Sequence, residues 1–161
     1  MSWRSVLLVV LLAAVAWCGE AAEQLWHFQT PLGNFDSSPA VADINGDGHQ
    51  DVILTTVSGS VVVIDSAGRE VWGRSLQIPI SLPPTVADLV EDERLEILVL
   101  NQVGTLFCLD GQSGDVIWKY DLPASIEWGS TAITVYDLDG DGHLEVIAGD
   151  SAGHVVCLSA V

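Results

Sequence analysis

Positive charge is what this chain has least of: 5 Lys and Arg stand against 22 Asp and Glu, a net charge of −17 over 161 residues. That balance disfavours nucleic acid and anionic membrane surfaces as partners, because both are recognised through clustered basic side chains. Cysteine is scarce too, with 3 in the chain, and none has a CxxC neighbour or a recurring His beside it. Thiol chemistry and a zinc site are therefore not indicated. No GxSxG, HExxH, P-loop or glycine-rich dinucleotide fingerprint occurs, so the common hydrolase, metalloprotease and nucleotide-binding classes lack their machinery here.

Long apolar runs are confined to the beginning. Arg4 supplies a positive start, Val6 to Ala16 is unbroken and apolar, and Gly19 and Ala21 offer small residues at the −3 and −1 positions of a cleavage site. This is the layout of a secretory signal peptide over residues 1–21, and its core is shorter than the ~20 residues that cross a bilayer. No membrane insertion is expected after cleavage, and the protein is expected to be secreted, extracellular or periplasmic. Lipidation at Cys18 is the minor option, since the bulky Trp17 precedes it. Of the remaining cysteines, Cys108 in GTLFCLD and Cys157 in GHVVCLS match Val63 in GSVVVID. Both read as small core residues rather than as a disulfide.

What the chain does have is acid in a pattern. In YDLDGDGHLEVIAGD, Asp137, Asp139, Asp141 and Glu145 stand at relative positions 1, 3, 5 and 9, with His143 at 7. Gly140 and Gly142 let so short a loop fold back until alternate side chains converge. Converging hard oxygen donors suit calcium, which accepts six to eight of them, and the backbone carbonyl of His143 adds one more. An ordinary turn with solvated acids is the alternative for one copy. A second copy, DINGDGHQD, brings Asp43, Asn45, Asp47, His49 and Asp51 to the same places, and the recurrence favours two calcium sites. An EF-hand is disfavoured, because position 12 is Ala148 and the flanks are β-branched.

The acidic loops belong to a longer period. Trp26, Trp72 and Trp118 are 46 and 46 residues apart, and the loop starts Asp43, Asp88 and Asp137 are 45 and 49 apart. Each unit contains a short strand, an acidic loop, an apolar strand, a Gly-led strand and, in the first two units, a Trp-bearing strand. EQLWHFQTPLGNF supplies a further Trp strand around Trp26. Four short strands divided by Gly-rich turns describe a blade of a β-propeller. The apolar strands are nearly continuous, as expected of sheets covered on both faces. The middle loop has decayed to DLVEDERLE, where Val90 and Glu93 replace a ligand and a glycine. It is expected to hold no calcium, with Arg94 pairing to Asp88, Asp92 or Glu96 instead.

DINGDGHQD and DLDGDGHLE resemble the calcium loops of FG-GAP or VCBS repeats, the units of integrin-α-like propellers. GTLFCLDGQSGDVIW resembles the tryptophan-docking motif of quinoprotein-like (PQQ-type) propeller repeats at Gly104, Leu106, Leu109, Asp110, Gly114 and Trp118. The resemblance implies an all-β partial propeller of about three four-stranded blades, built from strands in 23–35 and repeats at 36–80, 81–128 and 129–161. It also implies that the three periodic Trp residues are for packing, each indole N–H finding a backbone carbonyl. Trp128 lies in the loop before a first strand, where propellers often present their binding face; with Glu127 and Phe35 it is a candidate for ligand contact, and plain loop packing is the alternative.

The function expected from these features is binding of a protein or glycan, not catalysis, on a calcium-braced scaffold. A fragment of a PQQ-dependent dehydrogenase-like propeller is the alternative, against which stand the absence of a recognisable catalytic acid and of an adjacent Cys pair. Three units are fewer than the four to eight of propellers. The chain is thus read as a truncated piece of a longer propeller, as a self-associating arc, or as an open arc.

Overall fold

The computed structural model of the protein describes residues 22–127 and 132–160, and no helix occurs among them. Three antiparallel sheets follow one another along the chain. The first contains β1 (Ala40–Ala42), β2 (Asp51–Thr55), β3 (Ser60–Ile64) and β4 (Glu70–Ser75) in that spatial order. The second repeats it with β5 (Thr85–Ala87), β6 (Glu96–Leu100), β7 (Thr105–Asp110) and β8 (Val116–Asp121). The third has β9 (Thr134–Tyr136), β10 (Glu145–Gly149) and β11 (Val155–Ser159), with β11 as its outer strand.

The sheets form where the 46-residue period puts them, and the register repeats. Val63 pairs with Trp72 in the first sheet, and Cys108 pairs with Trp118 in the second. Each pairing is followed by a bulge in the same place, between Val63 and Ile64 and between Cys108 and Leu109. Such bulges add local twist to a strand. Glycine is required where the Gly-led strands begin. Gly59 and Gly104 have φ of 87° and 90°, and a Cβ there would lie 2.2 Å from the carbonyl oxygen of Ile78 and 2.4 Å from that of Ala124.

The near-continuous apolar strand of the middle sheet is covered on both faces, as the sequence predicts, while β10 of the third sheet is only partly buried. In β6, Ile97 and Val99 pack toward the first sheet with Ile53, Val61 and Val63. Leu98 and Leu100 pack the other way, with Leu106, Cys108, Val146 and Ala148. Alternation along one strand thus splits it between two cores, and all five residues of β6 are buried. Burial of Cys108 pushes its thiol pKa up to about 12 and confirms it as a core residue. Cys157, at the equivalent position, is exposed. The third sheet has no neighbour on its far side among the described residues, which is why the expectation of a second core cysteine fails.

One strand expectation also fails. Residues 22–34 contain no strand, and the only pairing nearby is the isolated bridge from Phe35 to Thr56. The segment nevertheless holds the place of a fourth strand, because Trp26 lies over Gly68 with ring atoms 2.8 Å from where a Cβ would be. Trp72 lies over Gly114 in the same way, also at 2.8 Å. A strand needs a hydrogen-bonded neighbour, and among the described residues no sheet lies beside residues 22–34 to supply one.

Candidate metal centre

The three acidic loops share one backbone design. In the first, Asp43 accepts hydrogen bonds from the backbone N–H of Gly46 at 2.8 Å and Asp47 at 3.1 Å through Oδ1, and of Gly48 at 2.8 Å through Oδ2. In the third, Asp137 accepts from Gly140 at 2.7 Å and Gly142 at 3.1 Å. In the middle loop, Asp88 accepts from Asp92 at 3.2 Å and Glu93 at 3.1 Å. The acid at position 9 clasps the loop from its other end: Asp51, Glu96 and Glu145 accept from the N–H of Ile44, Leu89 and Leu138 at 3.2, 2.7 and 2.7 Å. These clasps tie the loop to the strand that follows it. Charged acceptors on backbone N–H groups make such bonds stronger than neutral ones.

The loop backbone turns left-handed at matching points. Gly46 and Gly48 have φ of 74° and 84°, and Gly140 and Gly142 have 80° and 97°. In the middle loop Glu91 and Glu93 hold φ of 57° and 66°, at a cost of roughly 1–2 kcal/mol each for a side chain with a Cβ. The Asp88 and Glu96 clasps hold that shape without glycine. This was not legible in the sequence, where the loss of glycine reads as loss of the loop. The expected ion pair is corrected as well: among the described contacts Arg94 makes none with Asp88, Asp92 or Glu96. Its charge instead helps hold the Asp110 carboxyl below its ordinary range, after the larger effect of the Ser113 hydroxyl.

In the third loop, carboxylate oxygens of Asp137, Asp139 and Glu145 all lie within 4.8 Å of one another. Asp141 is not in that group; its Oδ1 accepts from the N–H of His143 at 2.9 Å. The His143 ring turns away to the middle loop, where its Nδ1 lies 2.5 Å from Glu91 Oε1. That hydrogen bond and the charge of Glu91 raise the imidazole pKa. The ring is thus a link between loops, and only the carbonyl of His143 remains for a metal.

The first loop makes the same short-range bonds as the third, where Asp139 Oδ1 also accepts from the N–H of Asp141 at 3.2 Å. Asn45 Oδ1 and Asp47 Oδ1 accept from Asp47 N at 2.9 Å and His49 N at 2.8 Å. Asp51 is fully buried, and its Oδ1 has no hydrogen-bond partner among the described residues. Burial raises its pKa, reinforced by the charges of Asp47 and Asp43 and opposed by the Ile44 hydrogen bond. A buried, unpartnered carboxylate oxygen beside two further acids is relieved either by a proton, as its raised pKa favours, or by a cation. Among the described residues the third loop gathers three acids closely enough for a hard divalent ion, whereas Asp43, Asp47 and Asp51 of the first loop are not gathered so closely; Asn45 and the His49 carbonyl are the further oxygens that loop offers. Asp137, Asp139, Asp141, Glu145 and the His143 carbonyl are the counterparts in the third.

The residues expected to contact a ligand lie as follows. Phe35 lines a shallow hollow of about 330 Å³ with His27, Phe28, Thr30 and Asn34, and Glu127 is not in its lining. Trp128 lies outside the described residues.

The profile of the FG-GAP repeat matches residues 35–68, which span the first acidic loop. No curated protein sequence matches the chain. Among solved structures, BamB from Moraxella catarrhalis is 19% identical with a TM-score of 0.58, the match covering 83% of this chain and 36% of BamB. The V. cholerae biofilm matrix protein Bap1 is 24% identical at a TM-score of 0.62, covering 82% of this chain and 25% of Bap1. Quinohemoprotein alcohol dehydrogenase from Comamonas testosteroni is 17% identical at 0.55, covering 80% and 20%. The chain thus spans about a third or less of the proteins it is similar to, and the fold they share with it, a β-propeller, serves an enzyme and non-enzymes alike. The profile described as outer membrane protein assembly factor BamB matches residues 58–151, more than half of the sequence, and the chain belongs to that family of quinoprotein-like propeller repeats.

Proposed function

We propose that this protein is a secreted or periplasmic β-propeller module that binds a protein or glycan, is not catalytic, and carries two calcium ions as structural braces. The observation that carries the calcium reading is the convergence of Asp137, Asp139 and Glu145 oxygens within 4.8 Å. The unpartnered buried Oδ1 of Asp51 at the matching place in the first loop supports it. The ion would supply charge neutralisation, since the clasps of Asp43 and Asp137 already fold the loops without it. Affinity near the ~10⁻⁴ to 10⁻³ M of extracellular modules is expected.

The binding role is supported by the chain's membership of a family described as an assembly factor. The test is a thermal melt with calcium and with chelator, on the wild type and on Asp47→Ala, Asp139→Ala and Asp92→Ala. Calcium should raise the wild-type melting temperature, each of the first two substitutions should remove part of the gain, and Asp92→Ala should leave it intact. A wild-type melt that ignores calcium would end the calcium reading, and an unselective loss in all three variants would show that the acids act only as clasps.

A further inference from the structure

Asn34 precedes Phe35, Asn101 precedes Gln102, and Asn45 alone precedes a glycine, Gly46. An asparagine amide can be attacked by the backbone nitrogen of the residue after it, closing a five-membered imide, and a side chain on that next residue hinders the approach. Glycine carries none. Asn45–Gly46 is therefore the pair in this chain best suited to the reaction. It occupies positions 3 and 4 of the first acidic loop. Asp139 and Gly140 hold that place in the third loop, where an ionised carboxylate is a poor electrophile.

The folded loop occupies both reacting groups. The N–H of Gly46 donates to Asp43 Oδ1 at 2.8 Å, and Asn45 Oδ1 accepts from the N–H of Asp47 at 2.9 Å. The first bond keeps on an anionic acceptor the proton that the nitrogen must lose before it attacks. The second fixes the amide in a short turn and removes the rotation that brings Cγ to the nitrogen. Solvent access is not what protects the pair, since Gly46 is exposed and a Cβ there would meet nothing within 4 Å. The Asp43 carboxylate also accepts from the N–H of Asp47 at 3.1 Å and of Gly48 at 2.8 Å, so a single side chain keeps the whole turn closed.

We propose that Asn45 is a site of conformation-gated deamidation: the closed first loop preserves the amide, and opening of the loop lets it convert to an acid. In that step Gly46 N gives its proton to solvent base and bonds to Asn45 Cγ, the Cγ–Nδ2 bond breaks, and Nδ2 leaves as ammonia. Water then opens the imide. Attack at Cγ gives aspartate in the original backbone, and attack at the backbone carbonyl carbon of residue 45 gives isoaspartate, with the chain routed through the side chain. The net change is water in and ammonia out, with no oxidant or reductant. The two products fit the loop differently. Aspartate is what the third loop has there, and Asp139 Oδ1 accepts from the N–H of Asp141 at 3.2 Å just as Asn45 does from Asp47. That product re-forms the same turn with one more negative charge. Isoaspartate adds a backbone carbon before Gly46 and carries the N–H groups of Gly46 and Asp47 away from Asp43. An opening of the first loop is thereby recorded covalently, whereas the third loop lacks the amide that would record one.

The test incubates the unmodified full chain at mildly alkaline pH, folded in buffer and unfolded in urea. Every arm contains chelator, so the result is separate from that of the calcium melt. Conversion at Asn45 is read by peptide mass spectrometry in heavy-oxygen water, which labels the new carboxyl group. The folded chain reacts only through its open fraction, so its rate should lie at least about tenfold below the rate in urea. In urea Asn45 should convert while Asn34 and Asn101 of the same chain stay amides. Asp43→Ala frees the N–H of Gly46 and should speed conversion in the folded state by about tenfold, measured where the far-UV strand spectrum persists. The wild-type comparison stands even where that variant fails to fold. Asn45→Asp, the product made in advance, should fold with the wild-type spectrum. Equal rates folded and unfolded, loss of the Asn34 or Asn101 amide in urea as fast as that of Asn45, a folded Asp43→Ala that converts no faster than wild type, or an Asn45→Asp chain that does not fold would each overturn the proposal.

Discussion

The indole N–H of Trp72 reaches across from the first sheet to the carbonyl oxygen of Gly111 in the second, 2.9 Å away, while its ring lies over Gly114. One residue thereby joins two blades by a hydrogen bond and by stacking. Trp72→Phe should keep most of the stacking, lose the bond, and lower unfolding free energy by about 1–2 kcal/mol. Gly114→Ala should cost at least as much, because φ there is 72° and the new Cβ would meet the ring at 2.8 Å. Urea denaturation of both variants checks these values; an unchanged midpoint for Gly114→Ala would contradict the stacking.

Glu96 gives a pH signature. It is 2% exposed and burial raises its pKa above the ordinary 4.5, against the opposing hydrogen bonds from Leu89 and Val90. The folded state holds this proton to higher pH than the unfolded chain does. The stability it contributes is therefore fully present below the unfolded pKa and is lost as pH rises through the folded one. Glu96→Gln keeps an oxygen for the Leu89 N–H and has no charge to bury. It should match the wild type at mildly acidic pH and be the more stable of the two at neutral pH, as followed by denaturant melts in chelator across the two conditions.

The middle loop offers a gain-of-site experiment that rests on the calcium reading. Its backbone already has the left-handed turns, held by Glu91 and Glu93. Val90→Asp, Glu91→Gly and Glu93→Gly together restore the DxDGDG pattern and relieve the strain at two positions. Calorimetric titration should show one more calcium per chain than in the wild type. An unchanged stoichiometry would mean that the third-position ligand does not decide occupancy.

Cys108 should resist alkylation in the native protein. It is fully buried and its thiol pKa is pushed up to about 12, so the thiolate that reacts is almost absent and out of reach. Mass spectrometry after treatment with iodoacetamide should find Cys108 unmodified until denaturant unfolds the second sheet.

Much of this fold is legible in the residues because its signals are local. The spacing of Trp72 and Trp118 gives the blade period. The short apolar runs within β2, β6 and β10 give strands, and the acid at position 1 followed by its Gly-Asp-Gly gives a loop folded on its own carboxylate. Each of these is decided within a dozen residues by hydrogen bonds and alternation. The candidate site is legible to a lesser extent: Asp137, Asp139 and Glu145 converge as their spacing implies, whereas Asp141, at the next alternate position, is not in that group.

What the sequence by itself determined, then, is the repeat, the strands within each unit and the position of every acidic loop. Tertiary structure alone decided that EQLWHF holds a fourth strand's place without being a strand, and that Cys108 is buried while Cys157 is not. It also decided that the middle loop keeps its shape without glycine. The physical reason is common to all three. A strand exists only with a hydrogen-bonded neighbour, a face is buried only by the sheet laid on it, and a strained turn persists only when surrounding bonds hold it. None of those partners lies close by in the chain.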